Sequence, residues 1–196
     1  MAEVTVEQIK KLKELSGAGL TDAKKALGEA KGDFDKALEA RRKKGLTKAE
    51  KRGDRETREG LIESYIHDGR LGAIVEVNCE TSFVAKTDEF KTLAHQIAMQ
   101  IASMNPLYVS EADIPEADRK AKIKELEANF KGPENMKDEI LEGQVKKAFS
   151  DKVLMNQPYI LDDSTTVEQF SKESIAKTCE NITVRQFKRI ELGVTE

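Results

Sequence analysis

A basic segment divides this sequence into two parts of different character. Residues 41–58 (RRKKGLTKAEKRGDRETR) carry nine basic and three acidic side chains, and Leu46 is their only large aliphatic residue. Gly45 and Gly53 interrupt the segment. A charged stretch with so little apolar surface cannot build a core of its own. We therefore expect a solvated connector between two packed units.

The charge balance limits what the whole chain can bind. Its 196 residues carry 33 Lys and Arg against 36 Asp and Glu, a net charge of −3. A nucleic-acid arm is an alternative interpretation of residues 41–58, but the segment has no aromatic residue for base stacking. Residues 59–196 carry 17 basic and 25 acidic side chains. We therefore expect no direct nucleic-acid partner.

The chain is long enough to bury a core without a disulfide or a metal ion. No apolar run approaches the ~18 residues of a membrane span, and no basic-then-apolar secretory signal opens the sequence. These features predict a cytoplasmic protein with no membrane contact. In that compartment Cys79 and Cys179 are expected to be reduced and partly buried, with a disulfide as the alternative.

Three short helices are predicted for residues 1–45, followed by a linker at 46–58 and a core at 59–196. The predicted signals are a capping box of Thr5 and Gln8, a helix end within Ser16-Gly17-Ala18-Gly19, a cap at Thr21 or Asp22, an end at Gly32, a cap at Asp33 and an end near Gly45. Leu20 is a large apolar residue between Gly19 and the second helix. It either closes the bundle or is an exposed anchor for a partner.

The core is predicted to be α+β, with a small antiparallel sheet of about three strands covered on one face by helices. Strands over 61–67 and 71–79 are joined at Asp68-Gly69, a tight-turn dipeptide. Further helices are predicted at 110–130 and 134–149, separated by Gly132-Pro133, and another near 167–176. The apolar patterns are a helical stripe of Phe90, Leu93, Ile97 and Ile101, and a last strand with Ile182, Val184, Ile190 and Leu192 on one face.

Nothing in the sequence favours covalent catalysis. The chain has two histidines, His67 and His95, and no GxGxxG, Walker A or CxxC motif. Metal binding by His67, Asp68 and Cys79 lacks the spacing of known zinc sites. A cysteine enzyme that uses Cys79 and His67 is a further alternative. We expect no catalytic residue, no metal ion and no cofactor.

Residues 78–85 (NCETSFVA) join the end of a strand to the start of a helix. Thr81 and Ser82 are candidate caps of that helix, which places Phe83 in its first turn. Two interpretations of Phe83 follow. It is either a core residue beneath the helix or an exposed wedge.

Three segments resemble the bacterial elongation factor Ts family in its half-length form. They are residues 16–27 (SGAGLTDAKKAL), 77–86 (VNCETSFVAK) and 180–187 (ENITVRQF), and their order and spacing cover nearly the whole chain. The resemblance implies an N-terminal ubiquitin-associated-like domain, a linker and an α+β core. It also implies a factor, not an enzyme, that binds elongation factor Tu carrying GDP and speeds GDP release by disturbing the magnesium and phosphate site.

By this resemblance Phe83 is the intruding wedge, flanked by Thr81, Ser82 and Val84. The other implied partner contacts are Lys10, Lys13, Leu20, Thr21, Lys24, Arg52 and His67. A ubiquitin-type adaptor would use the same bundle but would leave the segment around Phe83 without a role.

The sequence departs from the family pattern at two places. Ser82 replaces the usual Asp, so a carboxylate contact is lost, and Leu20-Thr21 replaces a Met-Met pair. The chain also lacks the second core repeat and the coiled-coil segment of longer relatives. Half-length relatives dimerise through the core, so the resemblance implies a homodimer.

Overall fold

The computed structural model describes residues 4–128, 130 and 136–194. The predicted break at Gly132-Pro133 lies outside these residues. Among the described residues, no helix is both long and apolar enough to cross a membrane. The helices are α1 (Val6–Ser16), α2 (Leu20–Glu29), α3 (Phe34–Glu50), α4 (Ser82–Ala85), α5 (Asp88–Met104), α6 (Glu116–Ala128), α7 (Lys137–Phe149) and α8 (Val167–Thr178).

Helices α1 to α3 form the predicted three-helix arrangement. The capping box of Thr5 and Gln8 is present at the start of α1, and Gly17 ends that helix with a φ of 62°. The side chain of Asp33 accepts a hydrogen bond from the backbone N–H of Lys36 at the start of α3. The helices share one small cluster of buried side chains, namely Leu12, Ala23, Ala26, Leu27 and Ala37.

Three predicted helix boundaries are wrong. The helix predicted at 110–130 begins only at Glu116, because residues 111–113 form a separate 3-10 turn. Helix α2 begins at Leu20 with Gly19 as its N-cap, so Thr21 and Asp22 lie inside the first turn. Helix α3 continues past Gly45 to Glu50. A helical glycine costs about 1 kcal/mol relative to alanine. Here a β-carbon at Gly45 would lie 3.0 Å from the Cβ of Ala176, so the glycine allows α8 to approach closely.

Strands β1 (Glu59–His67), β2 (Leu71–Cys79) and β5 (Ile182–Glu191) form a small sheet in the order β1-β2-β5. The turn between β1 and β2 is where the sequence predicts it. Asp68 and Gly69 have φ values of 49° and 67°, and the N–H of Arg70 donates to the carbonyl of His67 at 2.9 Å. Positive φ at both central residues is the geometry of a tight hairpin turn.

The apolar faces predicted for β2 and α5 are buried. Ala73, Val75, Val77 and Cys79 alternate along β2, and all four are buried. The predicted stripe of α5 is buried at Phe90, Leu93, Ile97 and Ile101. With the three N-terminal helices and the small antiparallel sheet, this confirms the predicted α+β class.

The predicted inward face of β5 is correct only in its first half. Ile182 and Val184 are buried, but Ile190 is 74% exposed and Leu192 also lies in solvent. The burial alternation changes phase at Arg185 and Gln186, which are both exposed. A change of phase moves later residues to the opposite face, because successive side chains of a strand point to opposite sides.

The described chain forms two compact units. One contains the residues up to Glu63 with 76–96 and 169–185, and the other contains 64–75, 97–168 and the residues from 186 onward. The second unit includes helices α6 and α7, which meet around Val145, Phe149 and neighbouring apolar side chains. It also holds a two-stranded sheet of β3 (Pro158–Tyr159) and β4 (Asp162–Thr166).

Candidate partner-binding site

The ring of Phe83 stands in solvent just beyond the end of β2. Its side chain is 84% exposed, whereas Ala85 in the same short helix is buried. The interpretation of Phe83 as a core residue is therefore wrong. Burying such a side chain is worth roughly 1.5–3 kcal/mol. The exposed ring therefore leaves a large apolar contact open to another molecule.

Thr81 is the N-cap of α4, as the sequence suggests. Its hydroxyl accepts a hydrogen bond from the N–H of Val84 at 3.5 Å. The carboxylate of Glu180 accepts two hydrogen bonds from the same residue, one from the Thr81 N–H at 2.9 Å and one from its hydroxyl at 2.6 Å. Thr81 is thus held from outside the helix, and it lies two residues before Phe83.

Cys79 lies beneath this turn. Its side chain is fully buried, and its thiol donates to the carbonyl of Thr81 at 3.2 Å. Burial raises the pKa of the Cys79 thiol, and the negative charge of Glu180 raises it further. A buried thiol with a raised pKa is a poor nucleophile. This environment disfavours the alternative of a cysteine enzyme.

The predicted contact residues of the N-terminal helices are all exposed to solvent. Leu20 is 54% exposed, so the interpretation in which it closes the bundle is wrong. Lys10, Lys13, Thr21 and Lys24 are also exposed. Within the described part of the chain, these three lysines have no carboxylate partner at ion-pair distance. Leu20 and Lys24 are four residues apart in α2, so they lie on the same face of that helix, and this pair suits a partner that has both apolar and acidic groups.

Arg52 and His67 lie in different surroundings. Arg52 is half-buried, and its Nη1 is buried with no hydrogen-bond partner among the described residues. His67 is exposed at the hairpin end of β1 in the second unit. Its Nδ1 lies 3.0 Å from the hydroxyl of Tyr65, and the two rings stack at 6.1 Å between centroids. Within the described residues, no group of three His, Cys, Asp or Glu side chains could hold a metal ion.

Comparison with known proteins identifies the family of this chain. A model of the family described as Elongation factor TS matches residues 2–194. The chain belongs to the elongation factor Ts family. It is 50% identical over 199 residues to Elongation factor Ts of Rippkaea orientalis, and this alignment covers 98% of this chain and 80% of that protein. It is 50% identical over 194 residues to Elongation factor Ts of Thermotoga maritima, which covers 97% of each.

Membership of the elongation factor Ts family makes this chain a translation elongation factor that acts in protein biosynthesis through nucleotide exchange. An exchange factor promotes the dissociation of a bound nucleotide and breaks no covalent bond.

Sequence reasoning assigned no role to Glu180 or Asn181, although both lie in a segment that resembles the elongation factor Ts family. Their contacts reach residues about one hundred positions earlier, at Glu80 and Thr81. No local pattern predicts such contacts. The available signal is an adjacent pair of polar residues between the end of α8 and the apolar start of β5.

Proposed function

We propose that this chain binds elongation factor Tu carrying GDP and promotes GDP release by disturbing the partner's magnesium and phosphate site. The single observation that carries the proposal is the exposed ring of Phe83 on a turn that is held from outside by Glu180. An aromatic anchor that fills a pocket can supply ~2 kcal/mol or more at an interface. Phe83 is positioned to act as such an anchor.

The mechanism is thermodynamic linkage and needs no covalent step. A factor that binds the nucleotide-free or distorted partner more tightly than the loaded partner must weaken nucleotide binding by the same factor. Each ~1.4 kcal/mol of differential binding is a tenfold change in nucleotide affinity. GDP is held by magnesium, a P-loop lysine and backbone N–H groups around its phosphates. A wedge that displaces magnesium ligands therefore weakens binding without touching GDP.

The N-terminal helices supply a second contact in this proposal. They form a ubiquitin-associated-like domain that grips a helix of the partner's nucleotide-binding domain. Leu20 provides the apolar contact beside Thr21, and Lys10, Lys13 and Lys24 provide positive charge. Arg52 of the linker and His67 of the core complete the proposed interface. The role of the domain is affinity, because it adds contact area away from the wedge.

The proposed biological unit is a homodimer formed through the outer face of the sheet. Within the second unit, Ile66, Ile74, Ile190 and Leu192 are all exposed. Ile66 lies against Gly72, where a β-carbon would be 3.9 Å from its Cγ1. Exposed isoleucines on neighbouring strands are uncommon on a solvated sheet face. A second copy would offer the same apolar surface in return.

Contacts of the basic segment support a structural role in preference to nucleic-acid binding. Arg41 pairs with Asp22 at 3.2 Å, and Lys43 pairs with Glu39 at 2.7 Å. Further pairs among the described residues join Arg42 to Glu173, Arg55 to Glu80 and Arg58 to Glu56. Paired cations release fewer counterions on binding phosphates, so they contribute less to nucleic-acid affinity. We propose a chain that has no direct nucleic-acid partner.

The experiment that tests this function is release of a fluorescent GDP from elongation factor Tu across a range of concentrations of this chain. Phe83→Ala should lower the maximum release rate at least tenfold, because ~2 kcal/mol of anchor contact is lost. Leu20→Ala should mainly raise the half-saturating concentration. Leu161→Ala, which truncates another exposed leucine, is the matched control. A Phe83→Ala chain that releases GDP at the wild-type rate would overturn the proposal.

A further inference from the structure

We propose that Glu180 and Asn181 are positioning residues for nucleotide exchange, which together fix the Phe83 turn and the linker at one point of the fold. Glu180 is half-buried, and Asn181 is 2% exposed. Both lie in the short connection between α8 and β5. This inference rests on the proposed function, and it assigns a role to a segment that makes no proposed partner contact.

Glu180 forms the arm that holds the turn. Helix α4 has four residues, and helices of that length are unstable without external contacts. The two hydrogen bonds from Thr81 to the Glu180 carboxylate supply such a contact. Hydrogen bonds to an ionised acceptor are stronger than neutral ones. The direction in which Phe83 projects therefore depends on Glu180.

Asn181 forms the arm that holds the linker. Its side-chain amide donates to the carbonyl of Gly53 at 3.1 Å and to that of Arg55 at 2.8 Å. Nearby, the hydroxyls of Thr57 and Thr183 lie 2.7 Å apart. Two backbone carbonyls bound to one buried amide give this charged segment a fixed path.

Glu80 joins the two arms. Its carboxylate accepts a hydrogen bond from the backbone N–H of Asn181 at 2.6 Å, and it lies 3.4 Å from the guanidinium of Arg55. Glu80 directly precedes Thr81, which Glu180 holds. The connection between α8 and β5 thus contacts the turn through one residue and the linker through the next. We call residues 80, 180 and 181 the clasp.

The two arms of the clasp should affect different quantities, namely the maximum release rate and the half-saturating concentration. Fixing the turn sets how well the Phe83 ring meets its pocket, which affects the maximum release rate. Fixing the linker holds the N-terminal helices near the turn, so that both contacts form in one encounter. A tethered contact of this kind acts through effective concentration. Releasing the linker therefore raises the half-saturating concentration.

The test of the first arm uses GDP release from elongation factor Tu with Glu180→Ala. We expect a maximum rate at least tenfold lower, because the change removes two hydrogen bonds to a charged group and each is worth about that factor. The half-saturating concentration should stay within about twofold of the wild-type value, because the change removes no partner contact. Loss of a strong partner contact would raise that concentration about tenfold. Glu180→Gln should recover much of the rate, because its oxygen can still accept the Thr81 N–H. Glu56→Gln, which removes an exposed linker carboxylate, is the control.

A double variant separates positioning from loss of structure. In a Phe83→Ala background, Glu180→Ala should cause no further loss, because its effect passes through the ring. The Thr81 amide should also exchange its hydrogen faster in Glu180→Ala, while the circular dichroism spectrum at the assay temperature should match that of the folded wild-type chain. If Glu180→Ala lowers the rate equally with and without Phe83, the positioning role is overturned.

The second arm is tested with Asn181→Ala and with Asn181→Asp, which keeps the shape and removes the amide donors. Both should raise the half-saturating concentration severalfold and leave the maximum rate unchanged. A wild-type half-saturating concentration in both variants overturns this arm. A wild-type chain that releases no GDP overturns the proposed function and the clasp together. A wild-type chain that releases GDP, with clasp variants identical to it, overturns the clasp alone.

Discussion

Gly17 lies so close to Lys177 that a side chain at position 17 would overlap it. A β-carbon there would be 2.9 Å from the Cα of Lys177 and 2.7 Å from its Cγ. Gly17 also has a φ of 62°, which residues with side chains rarely adopt. The glycine therefore serves two purposes, since it ends α1 and lets that end approach the last turn of α8.

Gly17→Ala should lower the free energy of unfolding by about 1–2 kcal/mol, the cost of a left-handed residue with a β-carbon, plus the cost of moving Lys177. Urea denaturation measures this loss in the free energy of unfolding. The matched control is Gly28→Ala, where a β-carbon meets nothing within 4 Å. That change lies in a helix and should stabilise the chain by about 0.5–1 kcal/mol. Equal stability of the two variants would contradict the close approach.

Gln157 is the centre of a buried hydrogen-bond network in the second unit. Its amide nitrogen donates to the carbonyls of Asp151 at 2.7 Å and Met104 at 3.3 Å, and its oxygen accepts from Gln100 at 3.1 Å. Gln157→Ala removes these three hydrogen bonds at a position that is 1% exposed, and the Gln100 amide keeps only its hydrogen bond to the Pro158 carbonyl. We expect a loss of about 3 kcal/mol in the free energy of unfolding, since each unsatisfied group costs ~1–3 kcal/mol.

The control for Gln157 is its neighbour Asn156, whose side chain makes one exposed hydrogen bond to Glu111. Asn156→Ala should change the free energy of unfolding by less than about 0.5 kcal/mol. Chemical denaturation of both variants in parallel measures the two changes in the free energy of unfolding. A Gln157→Ala chain as stable as Asn156→Ala would mean that water or rearrangement satisfies the network.

Local signals in the sequence were sufficient for much of the fold. The capping box at Thr5, the cap at Asp33 and the turn at Asp68-Gly69 are each decided by a few neighbouring residues, and all three are present. The strands β3 and β4 were missed. Both strands are short, and β4 is largely polar, as in Asp162 and Asp163, so no apolar alternation indicates them.

The exposure of Phe83 was one of two interpretations that the sequence allowed, because a helix turn places a residue on the core or in solvent according to a rotation that spacing alone does not define. The clasp lay beyond sequence reasoning for another reason. Its hydrogen bonds join Glu180 to Thr81 and Asn181 to Arg55, and contacts at such separation depend on the whole fold.

Ile190→Asp should convert the proposed homodimer to a monomer. A carboxylate at a position that is 74% exposed in the single chain costs little there, but it would be buried unpaired in a dimer. Light scattering at micromolar concentration measures the mass. Leu20→Asp, on the exposed surface of the N-terminal helices, should leave the mass unchanged. A wild-type chain with a monomeric mass would contradict the proposed dimer.

The two cysteines should differ sharply in their reaction with iodoacetamide. Cys179 is exposed, whereas Cys79 is buried and both thiols are free. Because burial raises the pKa of the Cys79 thiol, it stays neutral as the pH rises through the range where an ordinary thiol ionises, about 8.5. Between pH 7 and 9 the native chain should therefore take up one label, at Cys179, and a second only in denaturant. Peptide mass spectrometry locates the labels, and Cys179→Ser is the control that should take up none while folded. Labelling of native Cys79 at the rate of Cys179 would show that the turn beneath Phe83 opens readily.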